Sequence, residues 1–247
     1  MTAGAPSPPV GLICLQGGGE FSPGCRPMDV RVVRRVAGGA AAGAAPVRVV
    51  VVALAGAEGR EHDTAAARGV AHYARLGADA VAAPDARTDP DGAAEAMSDA
   101  QLLILAGGSP SRLIEALHAT PVGGVLVDLV RRGVAVSGAS AGAMVLCAWA
   151  VLPDRRGEHG PAVVRGLGLV PGALVVPHWS GGSSRGDWLR AVSATVAEPL
   201  RVLGLPEESG VLVEGPRLTA LGRSASCEVG SGQELLPGST LALGVDR

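Results

Sequence analysis

The feature that most constrains the fold of this chain is the alternation of short apolar runs with Ala-rich stretches of helical pattern. The run at residues 47–54, for example, is followed by an Ala-rich stretch at 64–76, and the run at 102–105 by another at 111–117. This alternation is typical of βαβ units, in which parallel strands are covered by helices on both faces. We therefore predict an α/β fold with a doubly wound, mostly parallel sheet.

The same pattern gives the limits of the predicted elements. Strands are predicted over residues 10–15, 47–54, 78–82, 102–105, 134–136, 174–177 and 200–203, and helices over residues 28–37, 64–76, 111–117, 123–132, 141–148 and 185–197. Between residues 211 and 243 short apolar runs are separated by Gly and Pro, which indicates small strands at a sheet edge. We expect a single domain over residues 1–247, in which residues 1–9 form a flexible tail.

Composition excludes several classes of partner. Aromatic residues make up 2% of the chain and the net charge is −2 without a block of like charge, so nucleic acid is not an expected partner. The longest apolar stretch, residues 47–57, is shorter than the ~20 residues of a membrane-spanning helix, and residues 1–9 lack the pattern of a secretory signal. We expect a cytoplasmic protein without a membrane partner. Its four cysteines form no Cys-x-x-Cys pair, so we expect reduced, buried thiols and no metal site.

A candidate nucleophile lies in the segment SGASAGAMVL, residues 137–146, which contains Gly-x-Ser-x-Gly around Ser140. Chance produces this motif often in a chain with 37 glycines, so the argument depends on its context. A predicted strand precedes Ser140 and an apolar helix follows it, while Gly138 and Gly142 relieve crowding on either side of the turn. This is the arrangement of a nucleophile elbow, in which the N–H of Ala141 faces the oxyanion at the start of the helix.

A serine nucleophile needs a base, and His178 is the best placed of the five histidines. It ends the apolar run GALVVPHW and so lies at the carboxyl end of a predicted strand, where ligands bind in open α/β sheets. No histidine follows it, which excludes the chain order of an α/β-hydrolase. The other four histidines are predicted to pack or to face solvent: His62, His72, His118 and His159. Of these, His159 is the alternative base. Because the chain has no Lys and no Asn, a Ser-Lys dyad and a Cys-His-Asn site are also excluded.

Four segments in this order resemble one known family. They are LAGGSPSRL, GASAGA, GLGLVPGALVVPHW and LGLPEESGVLVEG, and the resemblance extends from about residue 10 to residue 229. The family is that of dipeptidase E and cyanophycinase, serine peptidases whose fold is related to the class I glutamine amidotransferases. The resemblance implies that Ser140 is the nucleophile and His178 the general base, and that the N–H groups of Gly108 and Ala141 form the oxyanion hole. Next to Gly108 this chain has Ser109, where the family has Asn or Asp.

The acid that would orient the base is open at this point. The family places an Asp or Glu between the nucleophile and the base, and this sequence offers Asp154 and Glu158 there. We favour Asp154 if the helix after the nucleophile ends near residue 147 or 148, because a longer helix would carry Asp154 away from the base. Glu158 is the alternative acid, and a dyad without an acid is the third possibility. Glu207 matches a family glutamate to which we assign no role.

These residues predict a serine peptidase or amidohydrolase that forms an acyl-enzyme and needs no metal or organic cofactor. The resemblance suggests short peptides as substrates, with aspartyl or β-aspartyl peptides as candidates. Arg185 and Arg190 could hold a substrate carboxylate, although solvation on a helix surface explains them equally well. We expect a monomer or a homodimer. The alternative is a catalytically silent relative that binds a small ligand in the same cleft.

Overall fold

The structure is a computed structural model, and it describes residues 11–38, 45–154, 160–181 and 185–243. The strands are β1 Ile13–Gln16, β2 Arg48–Val52, β3 Asp79–Ala82, β4 Leu102–Leu105, β5 Ala135–Ala139, β6 Cys147–Leu152, β7 Ala162–Arg165, β8 Val170–Pro177, β9 Arg201–Leu205, β10 Ser209–Glu214, β11 Arg217–Gly222, β12 Ser226–Glu228, β13 Gln233–Leu235 and β14 Thr240–Ala242. The helices are α1 Arg26–Val36, α2 Arg60–Arg75, α3 Pro90–Ser98, α4 Pro110–Ala119, α5 Val122–Arg131, α6 Ala141–Leu146 and α7 Gly186–Thr195.

The first sheet has the order β14-β11-β10-β1-β5-β4-β2-β3. Its strands from β1 to β3 pair in parallel, whereas β10, β11 and β14 extend it in antiparallel fashion at one edge. Because parallel strands share one direction, the chain segments that follow β1, β4 and β5 leave the sheet at the same end. The predicted α/β fold with a mostly parallel sheet and small C-terminal edge strands is therefore confirmed.

Helices cover both faces of this sheet, as the apolar pattern predicts. Successive side chains of a strand point to opposite faces, and in β2 Val49 and Val51 join one buried cluster while Val50 and Val52 join another. The first cluster includes Met28 of α1 and Tyr73 of α2, while the second includes buried side chains of α3, α4, α5 and α6. The sheet is thus the middle layer between two sets of helices.

A second sheet, which the sequence did not indicate, has the order β13-β12-β9-β8-β6-β7. Its central strands β6, β8 and β9 are parallel, with Pro177 at the end of β8 opposite Leu205 at the end of β9. The predicted strands at 174–177 and 200–203 belong to this second sheet. The chain enters it directly from α6, which ends at Leu146 instead of residue 148 and passes into β6 at Cys147.

Two further points concern the ends of the chain and its helices. Residues 1–9, predicted to form a flexible tail, lie outside the described residues, and the single-domain assignment stays a prediction. Within the described ranges no single helix is long and apolar enough to cross a membrane, and the one pair that meets that criterion together, α4 with α5, is bent by 91°.

Candidate active site

Ser140 occupies a sharp turn between β5 and α6, as the elbow motif predicts. Its backbone angles, φ 48° and ψ −108°, are unusual for a residue with a side chain. The turn requires glycine on both sides, because a Cβ on Gly138 would lie 2.5 Å from the carbonyl carbon of Gly142, and a Cβ on Gly142 would lie 2.3 Å from the carbonyl oxygen of Leu105. The Ser140 N–H donates to the carbonyl of Gln16 at 2.9 Å, which ties the elbow to the end of β1.

His178 lies directly after β8 and faces the nucleophile. The Ser140 Oγ and His178 Nε2 atoms are 2.9 Å apart, the distance of a hydrogen bond. The backbone of His178 also has a positive φ of 51°, and its N–H donates to the carbonyl of Gly17 at 2.9 Å. The imidazole packs on Gly18 so closely that a Cβ there would lie 2.4 Å from the ring atom Cε1. The structure therefore brings together the two residues on which the sequence argument depended.

The acid beside His178 is Glu207 and not Asp154. Glu207 Oε1 lies 3.0 Å from His178 Nδ1, whereas the Asp154 carboxylate accepts the N–H of Gly160 at 3.0 Å. Both ring nitrogens of His178 thus have partners among the described residues, and Asp154 is not one of them. The expectation for Asp154 is corrected here, and Glu158, the alternative acid, lies outside the described residues.

The sheet order explains why an acid after either of two strands could lie beside the histidine. β8 lies between β6 and β9 and runs parallel to both, so the residues after β6 and after β9 emerge on either side of His178. Asp154 follows β6 and Glu207 follows β9. Of these two, only Asp154 lies between the candidate nucleophile and the candidate base in the sequence, where the family pattern predicts the acid. The sequence does contain a signal for Glu207, because this residue follows the predicted strand at 200–203. Parallel strands place it at the same carboxyl edge of the sheet as His178.

A hydrogen-bonded turn holds Glu207 in place through its neighbour Glu208. The Glu208 N–H donates to the carbonyl of Gly18 at 2.9 Å, and its φ is 55°. Its carboxylate accepts from Ser22 Oγ at 2.7 Å and from the Arg223 guanidinium at 2.8 Å. The hydrogen bond from Ser22, and after it that from Arg223, lowers the pKa of Glu208 below its ordinary value. The loop after β1 and the turn after β9 are thus joined beside the histidine.

The two expected oxyanion donors lie after the adjacent strands β4 and β5. Ala141 is the first residue of α6, and the first N–H groups of a helix have no acceptor within it. Gly108 has φ 142°, and a Cβ there would lie 2.7 Å from the carbonyl oxygen of Ala55. Ser109, the departure from the family pattern, donates its N–H to that same carbonyl at 2.9 Å and caps α4 with its side chain. The N–H of Gly107 donates to Glu20 Oε1 at 3.0 Å, a third hydrogen bond that holds the turn after β4.

The remaining candidate residues lie elsewhere in the fold. Arg185 precedes α7 and stacks on Trp188, with 4.9 Å between its guanidinium carbon and the ring centroid, and Arg190 is exposed on the same helix. Neither has a contact with Ser140 or His178 in the described part of the chain, so their role in binding a substrate carboxylate stays a prediction.

The other histidines take no part in this arrangement. His118 is exposed on α4, and His159 lies outside the described residues. His62 is buried in α2, which corrects the expectation that it is solvated, and His72 is buried in the same helix. Over the described ranges, no cluster of three His, Cys, Asp or Glu side chains is placed to hold a metal ion.

Comparison with known proteins shows the family to which the chain belongs. The family model described as peptidase family S51 matches residues 41–221, a range that contains Ser140, His178 and Glu207. A curated relative, peptidase E of Citrobacter koseri, is 28% identical over 149 residues, which are 58% of this chain and 64% of that protein. The matched part therefore spans less than two thirds of that relative.

Two solved structures share the fold. A peptidase from an acI-B1 actinobacterium superposes with a TM-score of 0.76 at 22% identity, over 95% of this chain and 97% of the other. A candidate peptidase E from Listeria monocytogenes EGD-e superposes with a TM-score of 0.60 at 12% identity, over 87% of this chain and 99% of the other. At these identities the likeness supports the fold alone.

Proposed function

Because the chain belongs to peptidase family S51, we propose that it is a serine peptidase that hydrolyses an amide bond of short peptides through an acyl-enzyme on Ser140. The observation that carries the proposal is the 2.9 Å contact between Ser140 Oγ and His178 Nε2 at a strained elbow. A serine hydroxyl becomes a nucleophile only when a base accepts its proton, and this contact supplies the base.

We assign the steps to the residues as follows. His178 Nε2 accepts the Ser140 proton while Oγ attacks the carbonyl carbon of the scissile bond. The developing oxyanion accepts hydrogen bonds from the N–H groups of Gly108 and Ala141. His178 then gives the proton to the leaving amine, and an acyl-enzyme remains on Ser140. Water hydrolyses the ester in the second half of the cycle, again with His178 as the base.

Glu207 replaces Asp154 as the proposed acid of the triad. By accepting a hydrogen bond from the Nδ1–H group of His178, its carboxylate leaves Nε2 free to act as the base and stabilises the imidazolium that forms. Its side chain is 64% exposed, so solvent screens the pair and the electrostatic part of this effect is smaller than for a buried acid. Orientation of the ring is then its main contribution.

The expected partner is a short peptide, with aspartyl and β-aspartyl peptides as the first candidates from the family resemblance. The alternative of a silent ligand-binding relative was favoured by the uncertain acid and by the altered turn at Ser109. Glu207 at the histidine and the hydrogen bonds of Ser109 weaken both arguments for it.

A panel of dipeptides tests the proposal. The panel contains N-terminal aspartyl, β-aspartyl and neutral dipeptides, and release of the C-terminal amino acid is measured by mass spectrometry. We expect hydrolysis of at least one class by the wild type and by Ser98→Ala, an exposed-serine control at the end of α3. Ser140→Ala should lose this activity with an unchanged circular dichroism spectrum. Turnover by Ser140→Ala equal to that of the wild type would remove the proposal.

A further inference from the structure

Three consecutive backbone carbonyls, of the last residue of β1 and the two residues after it, accept hydrogen bonds from the three regions of the proposed triad. The carbonyl of Gln16 accepts the N–H of Ser140, that of Gly17 accepts the N–H of His178, and that of Gly18 accepts the N–H of Glu208, the neighbour of Glu207, each at 2.9 Å. The nucleophile belongs to one sheet, and the base and the acid follow strands of the other. Residues 16–18, which we call the β1 bracket, therefore connect the nucleophile of the first sheet to the segments that follow β8 and β9 of the second.

The bracket is anchored below the site by the side chain of Gln16. Its Nε2 donates to Asp29 Oδ1 at 2.8 Å and to Ser137 Oγ at 3.0 Å. Gln16 and Ser137 are each 2% exposed and Asp29 is 1% exposed. Gln16 is thus fixed at both ends, by its side chain in the interior and by its carbonyl at the nucleophile.

Asp29 is in turn held by two side chains of α2. Its Oδ2 lies 2.8 Å from His72 Nε2, and its Oδ1 accepts the Tyr73 hydroxyl at 3.3 Å. His72 is 5% exposed and Tyr73 is 1% exposed. The ring of Phe21, in the loop after the bracket, packs against both rings with centroid distances of 5.7 Å and 6.3 Å.

Stability alone is a weak explanation for this buried cluster. Removing a carboxylate and an imidazole from water is costly, and apolar side chains of similar volume often stabilise a core at least as well. A fully hydrogen-bonded polar cluster does, however, select one arrangement of its parts, because each alternative leaves a buried polar atom without a partner. The residue that this cluster fixes is Gln16, whose carbonyl holds the nucleophile.

We propose that Asp29 is a positioning residue of the active site, which acts through the Gln16 side chain to fix the β1 bracket and thereby the alignment of Ser140 with His178. The inference rests on the proposed function. Asp29 does not touch the substrate and takes no proton from it, so its removal should impair the chemical step and leave substrate binding nearly unchanged.

Four variants test this role. Asp29→Leu removes one of the two acceptors of the Gln16 amide. Gln16→Leu removes the donor and leaves the contacts of Asp29 with α2. Asp29→Asn is the conservative variant, because its amide oxygen can accept from Gln16 and its amide nitrogen can donate to the other tautomer of His72. Val32→Ala is the matched control, since Val32 is fully buried on the same helix and lies outside the hydrogen-bonded cluster.

The measurements are kcat and KM on the best dipeptide, the labelling rate of Ser140 with a fluorophosphonate, and the free energy of unfolding in urea. For Asp29→Leu and Gln16→Leu we expect kcat and the labelling rate to fall together by about 10- to 100-fold, as for a small displacement of reacting groups, with KM within about twofold of the wild type. Asp29→Asn should recover most of the loss, and Val32→Ala should keep the wild-type labelling rate at a similar loss of stability. If Asp29→Leu does not fold, the kcat and the labelling rate of Gln16→Leu test the inference instead.

Two outcomes would overturn the inference. One is a labelling rate in Gln16→Leu or folded Asp29→Leu within twofold of the wild type, and the other is an equal loss in Val32→Ala at matched stability. Failure of the proposed function gives a different result, because the wild type would then neither hydrolyse the dipeptides nor be labelled at Ser140.

Discussion

Backbone strain at the scale of single residues is concentrated at the proposed site. In the described part of the chain four residues other than glycine have a positive φ, and three of them belong to the site or its supports: Ser140 at 48°, His178 at 51° and Glu208 at 55°. Such conformations cost of order 1–3 kcal/mol each and persist only where surrounding contacts impose them. Here the carbonyls of residues 16–18 supply those contacts, since each accepts the N–H of one of the three residues.

The first prediction concerns the acid at residue 207. Glu207→Gln should lower kcat by about 10- to 100-fold, less than for a buried triad acid, because the amide still contacts Nδ1 but favours the wrong tautomer of His178 and carries no charge. The matched variant Asp154→Asn should stay within about twofold of the wild type. Steady-state kinetics on the best dipeptide check both values. A loss in Asp154→Asn with none in Glu207→Gln would show that Asp154, and not Glu207, orients His178.

The contact between the candidate nucleophile and the candidate base could be predicted from sequence because each residue lies within its own local pattern. Ser140 follows a strand and precedes a helix inside an elbow motif, and His178 ends an apolar run. Glu207 could not be assigned in that way, since its proximity to His178 arises from the pairing of β8 with β9, which no local pattern of residues indicates. Asp29 and Gln16 were missed for the same reason.

At the scale of elements, the loop after β1 contributes most to the site. Its glycines allow the backbone to approach the histidine closely, and its carbonyls accept hydrogen bonds from segments after β5, β8 and β9. The loop itself is tied to α1 and α2 through the buried contacts of Gln16 and Asp29. The contact between Ser140 and His178 is therefore supported by an element that contributes neither of these side chains.

The second prediction tests the close approach of this loop. Gly18→Ala should lower kcat by more than about tenfold, because its Cβ would overlap the His178 ring, where atoms lie at 2.4 Å and 2.7 Å. The matched control is Gly77→Ala, which has a φ of 83° but no atom within 4 Å of the added Cβ. Both variants carry the strain of a positive φ, so urea unfolding measures that common cost. Equal kcat values in the two variants would contradict the role given to Gly18.

The elements with clear apolar periodicity could be predicted closely, and the others could not. Strand β4 has the predicted limits, and the predicted helix at 123–132 corresponds to Val122–Arg131. Helix α3 was not predicted because its sequence PDGAAEAMS begins with turn-forming residues, although Asp89 caps it by accepting from Gly92 N–H and Pro90 suits its first position. Helix α6 is shorter than predicted, because the apolar residues from Cys147 on form a strand of the second sheet.

At the scale of the whole molecule, the proposed site lies between two sheets. Ser140 follows a strand of the first sheet, and His178 and Glu207 follow neighbouring strands of the second. Local sequence patterns predict that a segment is a strand but do not indicate which sheet it joins, because sheet membership depends on contacts between distant segments. A single sheet was therefore the simplest expectation, and the division into two sheets was found only in the structure.

The third prediction concerns stability at high pH. Burial raises the pKa of the Cys14 and Cys147 thiols from 9.0 to about 12, and for Cys14 the nearby charge of Asp29 adds to the effect. Between pH 9 and pH 12 the unfolded chain has lost these protons while the folded chain keeps them, so the free energy of unfolding should fall as the pH rises through this range. Each thiol contributes a slope of about 1.4 kcal/mol per pH unit.

Urea unfolding between pH 8 and pH 11 measures this slope. The variant with Cys14→Ala and Cys147→Ala should show a clearly shallower decrease above pH 9 than the wild type. A decrease of equal slope in both proteins would mean that the buried thiols do not cause the loss of stability.

The central claim is that His178 activates Ser140, and the most direct test is the site and rate of labelling by a fluorophosphonate. Intact mass and peptide mapping should show one adduct, on the peptide that contains Ser140, and this adduct should be absent from Ser140→Ala. The labelling rate should fall by about 10²- to 10⁴-fold in His178→Ala, the usual effect of removing a general base. A Ser140 that stays unlabelled in the wild type, or one labelled equally fast without His178, would contradict the account.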